Sequence, residues 1–137
     1  MAWSNSRIFP ATITDALNNT TALDLNADTF KVALYDNDIT PDQTAASANT
    51  AYNVAQWVIT GNEVSQAGQW AAGGVALASV TSGFTTNVYT FDAADTASGS
   101  AATLANVYGC LIYDDTLTTP VADQGVCFNY FGGANSV

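Results

Sequence analysis

Residues 29–36 alternate with a strict period of two. Phe30, Val32 and Leu34 fall on one side of an extended strand and Lys31, Ala33 and Tyr35 on the other, before Asp36-Asn37-Asp38 favours a turn. One side is wholly apolar. A lone strand cannot bury it, so later strands must supply the other half of a core. The same reading places small apolar residues in a strand over 75–80, turned by Thr81-Ser82-Gly83. A further strand follows over 87–92, with Val88 and Thr90 on one face and Tyr89 and Phe91 on the other. Residues 104–113 form the longest apolar run and read as a central strand, with residues 125–131 as its partner.

Helical signal is scarce. Pro10 suits a first helical turn, and Ile13, Ala16 and Leu17 share one face of a short helix over 10–18 before Asn18-Asn19-Thr20 break it. Residues 51–59 read as one helical turn and a short extended piece, with Tyr52, Ala55 and Trp57 inward. Several strands, frequent turns and little helix predict a mainly β fold: an antiparallel β-sandwich with a short N-terminal helix and long polar loops. Residues 1–9 read as an N-terminal arm and 10–137 as one domain.

The chain has 137 residues, enough for one packed core, and 48% of them are hydrophobic. Only 10% are charged, and Arg7 and Lys31 face eleven Asp and Glu63, for a net charge of −10. Phosphate backbones and anionic membranes attract clustered cations, so neither nucleic acid nor membrane is an expected partner. The N-terminus has no continuous apolar stretch of the signal-peptide kind, and no run approaches the roughly 18 apolar residues of a membrane span. Synthesis and folding in a cytoplasm are expected.

Cys110 and Cys127 belong to no Cys-x-x-Cys pair, and the chain has no His. A hairpin centred near Thr118 and Thr119 would set Cys110 opposite Cys127, where a disulfide is geometrically conceivable; cytoplasmic synthesis favours free thiols. Without His, Ser-His and Cys-His nucleophiles are excluded, and zinc has no plausible ligand set. Gly73-Gly74 is followed by no Lys, so no phosphate loop exists. Asp114 and Asp115 are adjacent at a strand end and read as a solvated terminus. Asp36, Asp38 and Asp42 invite a calcium reading, but Thr40 and Pro41 stand where an EF-hand loop needs an acceptor and a Gly, so they read as turn residues. The aromatics, Trp57, Trp70, Tyr108 and Tyr113 among them, read as core or subunit interface before a sugar-binding face. No cofactor, metal or catalytic residue is expected.

The order of segments carries a resemblance. A short helix leads to Asp28-Thr29-Phe30-Lys31-Val32-Ala33-Leu34-Tyr35. There follow a loop with Pro41 and Asp42, Thr60-Gly61-Asn62-Glu63-Val64, Ala72-Gly73-Gly74-Val75-Ala76-Leu77, Tyr108-Gly109-Cys110-Leu111-Ile112-Tyr113-Asp114 and Phe128-Asn129-Tyr130-Phe131-Gly132. This resembles a group of small tailed-bacteriophage virion structural proteins. The resemblance implies a non-enzymatic β-sandwich that decorates or cements the outer head surface, with the major capsid protein and copies of itself as partners. Such proteins run on with a further Thr/Val-rich strand, whereas this chain stops at Ser136-Val137, which leaves the completion of the last sheet edge open. The expected docking parts are the arm (Trp3, Arg7, Ile8, Phe9) and the long 36–50 loop (Asp38, Pro41, Asp42). The alternative is a tail or fibre subunit or a host-glycan-binding module, which predicts aromatics near loop tips.

Overall fold

The computed structural model describes residues 3–136; Met1, Ala2 and Val137, which the arm and the chain end include, lie outside them. The fold is mainly β and antiparallel. In chain order its elements are β1 (Arg7–Ile8), α1 (Pro10–Leu17), β2 (Phe30–Tyr35), β3 (Glu63–Val64), β4 (Val75–Ala76), β5 (Thr81–Thr85), β6 (Val88–Asp92), β7 (Val107–Asp114) and β8 (Gly125–Asn135). The main sheet runs β1-β8-β7-β2, and β3 and β4 share the far edge of β2, pairing with its two ends. β5 and β6 form a separate two-stranded hairpin.

The alternation of β2 is used on both sides. Ala33 and Tyr35 join Leu111, Tyr113, Phe128, Ile39 and Trp57 in one core. Val32 and Leu34 join Cys110, Val107, Leu104 and Trp70 in the other. Only Lys31 of this strand reaches solvent, where its ammonium meets Asp115 at 2.9 Å. A strand buried on both faces needs two covering layers, and the chain assembles them from irregular segments as well as strands. The 36–57 stretch closes the first face. The 63–77 stretch and Leu104 close the second, while Phe91 of β6 packs edge-on against Phe30 at 5.0 Å between ring centroids.

The expected arm is part of the sheet. Arg7 pairs with Phe128 and Ile8 with Cys127, and the Phe9 amide donates to the Val126 carbonyl at 3.0 Å. Trp3 and Phe9 are fully buried. The Trp3 ring lies over Gly109, where any Cβ would collide with it. Trp3–Trp57, Phe9–Phe128 and Tyr35–Trp57 meet at 5.9, 5.4 and 5.3 Å, each pair contributing about 0.5–1.5 kcal/mol beyond area burial. These two residues are therefore core, not a free docking surface. The physical reason is their size: large apolar rings next to a sheet edge gain more by covering the core than by standing in water.

Three further expectations shift. First, β8 pairs with β7 in a different register: Cys110 lies opposite Asn129, and Cys127 opposite Ile112. A bulge at Val126 adds one residue to β8, and the connecting turn is displaced by about another. Over residues 109–112 and 127–130 the combined displacement is two residues, which keeps these side chains on their expected faces while moving the cysteines to diagonal positions; both thiols are free. Second, residues 81–83 begin a strand, and the reversal falls at Thr86-Asn87, both at positive φ. Third, α1 turns Ile13 and Leu17 outward and buries Thr12.

Candidate functional site

The local chemistry of the 36–50 loop is that of linked turns. Asp36 Oδ1 accepts from the Asp38 amide at 2.9 Å, and Asp42 Oδ1 accepts from the Thr44 amide at 2.8 Å and the Thr44 hydroxyl at 2.7 Å. The Thr44 bonds hold the Asp42 carboxyl below its ordinary pKa. The Gln56 side chain closes the loop by donating to the Asp42 carbonyl at 3.3 Å. Ile39 anchors it from beneath in the aromatic core. Asp38 and Asp42 are exposed and Pro41 half-buried. An open groove follows, lined by Thr40, Asp42, Thr44, Asn49 and Gln56. Of the residues expected to dock, Arg7, Ile8, Asp38 and Asp42 are exposed on the surface.

A second polar cluster lies where β3, β7 and the 71–74 turn converge. The Tyr52 hydroxyl donates to Glu63 Oε2 at 2.8 Å, and the Gly73 amide donates to Glu63 Oε1 at 2.8 Å. The Tyr113 hydroxyl donates to the Gly73 carbonyl, and the Tyr52 and Tyr113 rings stack at 4.8 Å. Burial first, and Glu63 after it, push the Tyr52 hydroxyl upward. A phenol held protonated and committed as a donor holds structure and is a poor acid or nucleophile. Gly74, at φ +81°, brings its backbone against the Val32 carbonyl, where a Cβ has no room.

The third cluster corrects the expectation of a solvated strand terminus. Asp115 is exposed, but Asp114 is fully buried. Its Oδ1 accepts from the Thr116 amide at 2.8 Å and the Leu117 amide at 3.3 Å. Its Oδ2 has no N–H or O–H donor on the protein, and its neighbour is the Asp28 carboxyl. A proton on Asp114, donated toward the Asp28 carboxyl, resolves this arrangement. Burial pushes Asp114 up to about 7; the Thr116 amide opposes the rise, and Asp28 adds to it. Asp28 Oδ2 accepts from the Asp24 amide at 2.6 Å, so the pair ties the 24–28 turn to the end of β7. Among the described residues, no three His, Cys, Asp or Glu side chains gather to hold a metal ion. Burial pushes both Cys110 and Cys127 up to about 12, which leaves protonated, weakly nucleophilic thiols.

The outer surface carries apolar side chains on several elements, with Val54, Val58 and Phe131 less exposed than most of the others. Ile8 on β1, Ile13 and Leu17 on α1, and Phe84, Val88 and Tyr89 on the β5–β6 hairpin all face solvent, with Leu17 82% and Phe84 69% exposed. The hairpin stands over an open groove bounded by Ala16, Leu23, Asp24, Asn26, Ser82 and Tyr89. Sequence reading placed Tyr89 and Phe91 on one strand face but missed Phe84, because Thr-Ser-Gly looked like a turn. The usable signal was Asn87, which tolerates the left-handed conformation of a two-residue hairpin turn.

No family model, no curated protein and no solved structure matches the chain. No helix among the described residues is long and apolar enough to cross a membrane.

Proposed function

We propose that the chain is a non-enzymatic structural protein of a tailed-phage virion, a decoration subunit that docks on the outer head and stabilises junctions between capsid subunits. The observation that carries this reading is the apolar surface on β1, α1 and the hairpin around a closely packed aromatic interior. Phe84 and Tyr89 adjoin across one ladder and are both exposed, and adjoining large apolar side chains left in water mark a surface for contact with another protein. The resemblance of the segment order to that of small phage virion proteins, read from the sequence, supports the same reading. So does the net charge of −10, which repels packaged nucleic acid and leaves a capsid protein as the fitting partner.

Cryo-electron microscopy of the intact particle tests it. The expected result is density for this chain at regular positions over the capsid lattice, in contact with the shell through one or more of these elements. Density confined to the tail or fibres would overturn it.

One observation favours a second reading, a glycan-binding module on a tail or fibre: Phe84 and Tyr89 stand exposed beside the hairpin tip. That reading expects saturable binding of host polysaccharide, lost in Tyr89→Ala.

A further inference from the structure

We propose that the β5–β6 hairpin is an edge-pairing dock: the outer edge of β6 accepts an extended, Lys/Arg-bearing segment of a partner protein, with Phe84 and Tyr89 as its apolar anchors. The inference deepens the reading of the chain as a docked subunit and names the partner's chemistry.

The geometry begins with the turn. Thr85 pairs with Val88 across Thr86-Asn87, and the ladder continues through Phe84↔Tyr89, Gly83↔Thr90 and Ser82↔Phe91. In a two-residue hairpin the flanking pair exchanges both hydrogen bonds, so every second pair turns its amides and carbonyls outward. Ser82 confirms the phase, since its amide leaves the ladder and donates to Asn26 Oδ1 at 2.9 Å. Across the ladder, Tyr89 and Phe91 therefore direct their N–H and C=O groups away from β5. Among the described residues no strand pairs with that edge. The edge of β5 is partly closed by Asn26, whereas the edge of β6 is open. Two-stranded ribbons are marginal alone, and a third strand is the usual way to complete them.

Side chains add specificity. Phe84 and Tyr89 are a directly opposed cross-strand pair, 69% and 58% exposed, on the face that Phe91 fixes to the body through Phe30. The occupant's charge follows from the surroundings. Asp92 ends β6, Asp95 follows it, Asp24 lines the groove beneath, and no Lys or Arg occurs after Lys31. A second copy would bring the same acidic strand and another net charge of −10 to this edge, which like-charge repulsion opposes. A segment carrying Lys or Arg beside apolar residues meets both demands.

The test uses the full chain in solution, apart from any particle, so it can fail independently of the decoration reading. The probe is a short peptide alternating lysine and valine, with the glutamate–valine counterpart as control, followed by amide NMR shifts. The expected result is binding of the lysine peptide only, weakened by salt, with shifts and slowed exchange at the Tyr89 and Phe91 amides. Phe84→Ser is expected to weaken binding about tenfold. Tyr89→Pro, which removes an outward donor without breaking the ladder, is expected to abolish it. Val58→Ser, next to Trp57 in the segment that covers the other core, is expected to leave it unchanged. No binding by the lysine peptide, equal binding of both peptides, shifts confined to other elements, displacement by a neutral sugar, or self-association through β6 would each overturn the proposal.

Discussion

The indole N–H of Trp3 donates to the carbonyl of Asp36 at 2.6 Å, joining the chain's N-terminal segment to the residue that ends β2. This contact, with the ring packed over Gly109 and against Trp57, makes the first residues a structural wedge. Trp3→Ala is expected to cost about 3–5 kcal/mol, the range for emptying a large aromatic site. Arg7→Ala, on the exposed edge strand, is expected to stay within about 0.5 kcal/mol. Urea unfolding monitored by circular dichroism separates the two, and equal midpoints would show the segment to be detachable.

The Asp28–Asp114 pair makes stability depend on pH in a defined direction. Burial pushes the native carboxyl of Asp114 up to about 7 from an ordinary 3.8. Between these values the native state holds a proton that the unfolded chain has released. The stabilisation is therefore complete below the unfolded value and lost as pH rises through the native one. Asp114→Asn keeps the Oδ1 acceptor for Thr116 and Leu117 and supplies a permanent donor toward Asp28. The expected outcome is a flatter pH profile and a variant more stable than the parent by a few kcal/mol at about pH 8. Urea midpoints across the range check it; a parent chain whose stability rises through this window would show that the native Asp114 carboxyl holds no such proton.

Both thiols should be silent in the folded protein. Cys110 is buried and both cysteines are pushed up to about 12, so neither supplies thiolate near neutral pH. An aromatic disulfide reagent at about pH 8 is expected to label them only as the chain unfolds, at a rate that tracks global unfolding. Mass spectrometry without reductant is expected to give the free-thiol mass. Rapid native labelling, or an intramolecular bridge, would contradict the diagonal placement.

On α1 the burial pattern reverses the usual weighting of residue types. Ile13→Ser and Leu17→Ser are expected to change stability by less than about 0.5 kcal/mol, because both side chains already face solvent. Thr12→Val is expected to cost about 1–3 kcal/mol. It leaves the Gly125 carbonyl without the Thr12 hydroxyl and removes one acceptor of the Gln124 amide. Thermal melts of the three variants decide the order.

The positions where sequence reading went astray share a physical cause. Ile13 and Leu17 have the spacing of an inward helix face, yet the helix is oriented by Thr12, whose hydroxyl reaches across to β8. Asp114 and Asp115 look equivalent in the chain, but one faces the Asp28 turn and the other pairs with Lys31 at the surface. Trp3 sits among Ser and Asn in a stretch that reads as loose. What orders it is the space above Gly109, a residue more than a hundred positions away. The edge of β6 was visible only in part, since Tyr89 was on a recognised strand while its partner Phe84 follows residues 81–83, which read as a turn, and was placed in no strand.

What the sequence determined by itself is the set of central strands and the sides of them that are apolar. Alternation is a local property of an extended backbone, so β2, β7 and β8 and the faces of their side chains follow from spacing alone. The acidic surface and the lack of His are likewise fixed by composition. Only the tertiary structure decided the register of β7 on β8, the burial of Trp3 and Phe9, the orientation of α1 and the separation of the β5–β6 hairpin from the main sheet. Each depends on a balance among distant groups. The bulge at Val126 and the displaced turn together move the two cysteines to diagonal positions, and no local pattern records it.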